Sequence, residues 1–115
     1  MKVLVCGGRD FDDESAVVNF LFRMDDERKI TKIIHGGANG ADKIGGKAAD
    51  LLSVPCAVYP ANWKKDGKAA GPIRNQRMLD EGKPDCVVAF AGGRGTADMV
   101  ARARAQGIEV IEVRR

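Results

Sequence analysis

Val3-Leu4-Val5-Cys6-Gly7-Gly8-Arg9-Asp10, Lys32-Ile33-Ile34-His35-Gly36-Gly37-Ala38-Asn39-Gly40-Ala41-Asp42 and Val87-Val88-Ala89-Phe90-Ala91-Gly92-Gly93-Arg94-Gly95-Thr96 share one grammar. Each is a short apolar run that ends in paired glycines and leads into a helix-like segment. A strand turning on glycine into a helix presents backbone N–H groups to an anion. One such turn is weak evidence. Three in a chain of 115 residues put most of a binding surface at one end of a sheet.

The segments between these loops complete the pattern. Asp12, Asp13 and Glu14 cluster where a helix start favours negative charge. Val17, Phe20, Leu21 and Met24 follow at helical spacing, so a first helix runs to about Arg28. A second helix starts near Gly40 and runs through Leu52, with Ala41, Ile44, Ala48 and Leu51 on one face. Gly45 and Gly46 weaken it by roughly 1 kcal/mol each against alanine. Either close backbone packing, across a dimer for example, offsets this cost, or the helix tolerates it. Val54 to Tyr59 reads as a third strand, stopped by Pro60. Residues 61 to 71 form a lysine-rich excursion carrying the one tryptophan, Trp63. Gly71-Pro72 opens a third helix, with proline in the first helical position. Asp85 to Phe90 is a fourth strand. Thr96 is a natural N-cap for a fourth helix lined by Met99, Val100 and Ala103. Gly107 ends that helix, and Ile108 to Val113 is the last strand.

Strands alternating with helices predict an α/β fold with a parallel sheet and right-handed crossovers. The expected architecture is a single Rossmann-like domain, residues 1–115, with five strands in the order 3-2-1-4-5. Its reversal lies between the first and fourth strands, where such sheets bind ligands beyond the carboxyl ends of their strands. The three glycine loops therefore converge by topology.

Composition removes several classes. No apolar run reaches the ~20 residues of a membrane span, and the opening residues lack a signal peptide, so a cytoplasmic location without membrane attachment is expected. Cys6, Cys56 and Cys86 are too few and too scattered for a disulfide framework or a zinc site, and buried free thiols are expected. The first loop does not fit G-x-G-x-x-G, and the second strand ends in His35 rather than an acid, which argues against ordinary NAD or FAD binding. The P-loop pattern is also missing. No cofactor and no metal are expected. The net charge of +3 does not by itself indicate nucleic acid. However, Lys64, Lys65, Lys68, Arg74, Arg77 and Lys83 crowd one stretch, which is either a solvated face or an anion-facing one.

The loops Gly36-Gly37-Ala38-Asn39-Gly40-Ala41-Asp42 and Gly92-Gly93-Arg94-Gly95-Thr96, with Pro72-Ile73-Arg74-Asn75, resemble the SLOG superfamily, and within it the YspA, cpYpsA-related branch. The resemblance runs from Val3 to Val113. It implies a Rossmann-like fold that binds a nucleotide or nucleotide-derived signal at the glycine loops, as a sensor or a sequestering protein, and a homo-oligomer. The relatives LOG and DprA imply two alternatives: a nucleoside-monophosphate phosphoribohydrolase and a single-strand nucleic-acid binder. The LOG signature P-G-G-x-G-T-x-x-E meets Ala91 and Met99 here in place of its proline and glutamate. Asp98 stands one position early, about 100° around a helix.

The expected ligand-binding residues are Gly7, Gly8, Arg9, Gly36, Gly37, Ala38, Asn39, Gly40, Asp42, Arg74, Asn75, Gly92, Gly93, Arg94, Gly95 and Thr96. Arg9 and Arg94 either clamp phosphate in bidentate fashion or lie exposed. Asp42 either complements its helix or bonds a ribose hydroxyl. Were the chain an enzyme, Asp42, Asp98 and Arg74 would be its catalytic candidates. His35 is read as a hydrogen-bonded structural histidine ahead of a general base. Trp63 either stacks on a base or pins the excursion to the domain.

Overall fold

The computed structural model of the chain describes residues 1–113. Its elements are β1 (Lys2–Cys6), α1 (Glu14–Glu27), β2 (Lys32–His35), α2 (Ala41–Leu52), β3 (Cys56–Val58), α3 (Trp63–Asp66), a 3₁₀ turn (Gly67–Ala69), α4 (Ala70–Gly82), β4 (Cys86–Ala89), α5 (Arg94–Ala105) and β5 (Glu109–Glu112). The sheet order is β3-β2-β1-β4-β5. Every pairing is parallel. This is the α/β Rossmann-like fold and the strand order expected from the sequence.

Side chains alternate across the sheet, because successive residues of a strand face opposite ways. Val3 and Val5 of β1 join Ile33, Cys86 and Val88 under α1 and α2. Leu4 and Cys6 join Ile34, Val87 and Ala89 under α4 and α5. Both faces of the central strands are thus covered, which explains why β1, β2 and β4 read as continuous apolar runs.

Four local expectations need correction. Thr96 is not the N-cap of α5. Gly93 is, and Thr96 is the third helical residue, because the helix begins two residues earlier at Arg94. Leu51 is exposed rather than on the buried face of α2. Small residues bring that helix close to the sheet, so its packed stripe centres on Ala41, Gly45, Ala48 and Ala49. Cys56 is an exposed thiol on the edge strand β3, whereas Cys6 and Cys86 are buried. The excursion is helical over much of its length: α3 and the 3₁₀ turn run straight into α4. Pro72 is therefore the third residue of α4 rather than the first. It still lies in the first turn, where N–H groups lack intrahelical partners.

Gly45 and Gly46 need no second subunit to explain them. A Cβ on Gly45 would stand 3.0 Å from Val5 Cβ, and one on Gly46 would stand 2.9 Å from His35 Nε2. Helix α2 rests on β1 and β2 at a distance only glycine allows. We predict that Gly45→Ala lowers stability by about 1 kcal/mol. The overpacking cost of roughly 1–3 kcal/mol outweighs the ~1 kcal/mol gain in helix propensity. A urea unfolding midpoint equal to or above that of the parent would contradict this.

Candidate functional site

Loop one (residues 7–13) follows β1, loop two (36–40) follows β2, and loop four (90–93) follows β4. They meet through the backbone of Gly8. Its N–H donates to Ala91 O at 2.9 Å, and its carbonyl accepts from Phe11 N at 3.1 Å and from Ala41 N at 3.4 Å. Gly40, at φ +80°, completes the junction: a Cβ there would collide with the Gly8 carbonyl oxygen. Much of the glycine content therefore serves to let the loops approach each other.

A cleft of about 730 Å³ opens between loops one and four, over the carboxyl ends of β1 and β4. Gly7, Gly8 and Arg9 form one wall, and Gly92, Gly93, Arg94, Gly95 and Thr96 form the other. Ala38, Asp42, Arg74 and Asn75 also line it. Gly36, Gly37, Asn39 and Gly40 stand behind this surface rather than in it. Loop-two amides are occupied internally: Gly36 N and Ala38 N donate to Asp42 Oδ2, and Gly37 N donates to His35 Nδ1. Cys6, Asp10, Phe11, Asp12, Gly71, Met78 and Ala91, which no motif marked for binding, complete the wall together with Trp63. Trp63, the half-exposed ring at the rim, was the member a sequence signal marked, as the single tryptophan in a lysine-rich stretch.

One end of the cleft is the start of α5. Its N-cap, Gly93, makes no side-chain cap hydrogen bond. The first-turn N–H groups of Arg94, Gly95 and Thr96 have no helical carbonyl to donate to. Nothing lies within 4 Å of where a Cβ would sit on Gly93 or Gly95. Unlike the junction glycines, these two border open space. Arg9 and Arg94 are exposed beside it, and neither forms an ion pair among the described residues. Asp10 and Asp12 line the cleft on the same loop as Arg9.

The floor is built from Asp42, Arg74 and Asn75. Arg74 Nη1 donates to Gly36 O at 2.8 Å, and its Nε donates to Asn75 Oδ1 at 3.1 Å. Buried Asn75 then donates to Gly95 O at 3.2 Å and to Asp98 Oδ2 at 3.0 Å. One chain of bonds thus ties loop two to the first turn of α5. Asp98 faces this chain and not the cleft; its Oδ2 also accepts from Arg102 Nε at 2.9 Å. Met99, at the position of the LOG glutamate, is buried in the core beneath α5.

Asp42 is the ionisable group with unusual chemistry. Both loop amides bind its Oδ2. Among the described residues no buried side-chain oxygen is without a partner, so Oδ1 opens on the cleft. Burial pushes its pKa up to about 6, against the lowering effect of the two amides and the Arg74 guanidinium. Burial lowers the pKa of His35, and its Nδ1 accepts the Gly37 N–H, so the neutral ring carries its proton on Nε2. That is the structural histidine expected from the sequence. Burial also raises the Cys6 thiol to about 12, which leaves it inert as a nucleophile.

An open parallel α/β sheet with a glycine-walled cleft at its switch point defines a Rossmann-like domain. Sequence comparison places the chain in a specific group: residues 1–65 match the YspA, cpYpsA-related SLOG family, and the chain belongs to it. The Gene 61 protein of Mycobacterium phage D29 is 34% identical over 121 residues, spanning 96% of this chain and 94% of that protein. The X-ray structure of DNA processing protein A (DprA) from Streptococcus pneumoniae superposes with a TM-score of 0.77 at 22% identity. That match takes in 99% of this chain and 50% of DprA, so the chain spans about half of DprA's length. No helix among the described residues is long and apolar enough to cross a membrane.

The raised pKa of Asp42 gives a pH signature. The folded chain holds this proton more tightly than the unfolded chain, so Asp42 favours the fold in acid. That contribution is lost as pH rises from about 4 to about 6. Above this window a buried carboxylate burdens the fold. Asp42→Asn keeps an oxygen for the two amides and removes the charge. We expect its stability to be flatter between about pH 4 and 6, and at about pH 8 to exceed the parent by about 1–2 kcal/mol. Denaturant titrations across this range test the sign. A variant that loses stability at the alkaline end would show that the ionised carboxylate is favourable where it sits.

Proposed function

We propose that the chain binds a nucleotide or nucleotide-derived signal in the cleft, as a sensor or a sequestering protein. The observation that carries this reading is the uncapped first turn of α5 beside unpaired Arg9 and Arg94, at the switch point of the sheet. Three features converge there: helix-dipole charge, free amides and guanidinium forks. Membership of the SLOG family and the DprA-like fold support a nucleotide- or nucleic-acid-related role. Arg74 is already engaged with Gly36 and Asn75, so it both shapes the floor and adds positive charge to it.

Titration calorimetry with nucleotides tests the assignment. Arg9→Ala and Arg94→Ala should each weaken binding by roughly 1.5–3 kcal/mol, the range for hydrogen bonds to charged groups. Neither side chain supports the fold through an ion pair, so the melting temperature without ligand should not move. Unchanged affinity in both variants would place the anion elsewhere.

The reading is binding without glycosidic cleavage. Cleavage needs a carboxylate beside the anomeric carbon, where positive charge develops. Met99 cannot supply it, and Asp98 is committed to Arg102 and Asn75. Incubation with common nucleoside 5′-monophosphates should release no free base detectable by chromatography. Turnover abolished by Asp42→Asn would reverse this reading and make Asp42, the carboxylate that lines the cleft, the group responsible.

A single-stranded nucleic acid is the second reading, favoured by Lys64, Lys65 and Lys68. These exposed lysines form no ion pair among the described residues, and they lie on the arm that carries Trp63 to the rim. A partner of this kind would show affinity that falls steeply with salt.

A further inference from the structure

We infer that Trp63 is a stacking platform for the base of the bound nucleotide, and that the site selects bases by ring area rather than by hydrogen-bond pattern. This rests on the proposed nucleotide function and adds to it the place and the rule of base recognition.

The indole is 56% exposed, yet it lines the cleft. Its far edge, Cη2, lies 3.6 Å from where a Cβ on Gly71 would stand, so one margin rests on α4 while a face remains free. The backbone beneath it is fixed: Asn62 caps α3 by accepting the Lys65 N–H at 3.1 Å. The backbone that carries the ring is thus ordered before any ligand arrives, which lowers the ordering cost of binding. Phe11, the other aromatic ring of the wall, already packs against Phe90 with centroids 5.4 Å apart. Trp63 is the aromatic surface left for a ligand.

The surroundings select what lies on it. Lys64, Lys65 and Lys68 flank the ring on its own arm, and Arg9, Arg74 and Arg94 stand within the cleft. A ligand that meets both the ring and these cations is flat, aromatic and anionic. A nucleotide with its phosphate on the α5 amides and its base over Trp63 has that form. An indole face presents no donor or acceptor code, and stacking on it is tolerant of sequence. Purines, with the larger ring system, should therefore outbind pyrimidines, while adenine and guanine differ little.

Trp63 is the one tryptophan of the chain, so intrinsic fluorescence reports this site alone. The probes are the 5′-monophosphates of adenosine, guanosine, cytidine and uridine, with ribose 5-phosphate as the baseless control, each followed by fluorescence and calorimetry. The purine nucleotides should quench the emission and bind most tightly. Ribose 5-phosphate should bind more weakly without quenching. Trp63→Ala should lose roughly tenfold in affinity for the purine nucleotides and leave ribose 5-phosphate unchanged, whereas Trp63→Phe should keep most of the affinity. Nucleotide binding without quenching, and equal in parent and Trp63→Ala, would overturn the stacking platform and leave the cleft assignment intact. An equal loss for ribose 5-phosphate and adenosine monophosphate would make Trp63 a pin for the arm, and would also overturn it. No binding of any of these probes by either method would overturn the nucleotide function itself.

Discussion

The architecture of the cleft depends on the backbone of a single residue, Gly8. Its N–H holds the loop after β4, and its carbonyl holds the start of α2. Parallel strands deliver three loops to one sheet edge, but parallel pairing stops at the strand ends. Something else must set the spacing of the loops. A backbone junction does this more stiffly than side chains, because it has no rotamers to lose. It also requires atoms to come closer than a Cβ permits, which is why glycine recurs at Gly7, Gly8, Gly40 and Gly92.

This divides the glycines into two kinds. Those of the junction are explained by neighbours inside the chain. Gly93 and Gly95 are not, since open space lies where their side chains would be. Both sit on the cleft at the start of α5, whose N-cap makes no side-chain hydrogen bond. Loop two looks equally suited to phosphate in sequence, but its amides are taken by Asp42 and His35. Its part is to hold a carboxylate beneath the cleft. The same glycine-rich pattern therefore produces a cradle in one loop and a support in another, and the difference lies in which acceptor each helix start brings along.

The strand order was legible because alternation, apolar runs and glycine turns all act locally. The topology then followed from the handedness of parallel crossovers. The place of the cleft was legible for the same reason. What escaped was set by distance in the chain. The interlock of Gly8 with Ala41 and Ala91 joins residues no local pattern connects. The chain of bonds from Gly36 through Arg74 and Asn75 to Gly95 joins residues separated by α2, β3, α3, α4 and β4. Thr96 looked like a cap because serine, threonine and aspartate usually are caps. Here the helix starts earlier, on glycine, and exposes its amides. Leu51 looked buried because helical spacing marks a stripe without fixing its centre. Glycine at 45 shifts that centre by letting the helix settle against Val5.

The floor of the cleft has a chemical asymmetry that the fold enforces. Asp98 and Asp42 are both carboxylates near the start of a helix, yet their environments part them. Asp98 is paired with Arg102, accepts a hydrogen bond from Asn75 and is not among the residues that line the cleft. Asp42 is buried, takes two amides on one oxygen and keeps the other for the cleft, with burial holding its proton on to about pH 6. A carboxylate poised in that way accepts a hydroxyl when ionised and donates to an oxygen when protonated. The Arg74 guanidinium above Gly36 biases it toward the ionised form. In the proposed binding mode, the cleft at neutral pH offers an anion end at α5 and a hydroxyl acceptor at Asp42. A phosphorylated sugar presents that pair of groups, phosphate at one end and hydroxyls along the ring. The polarity of the cleft thus follows from two loops, one whose helix start is left without a side-chain cap and one whose amides are taken by the acid that follows it.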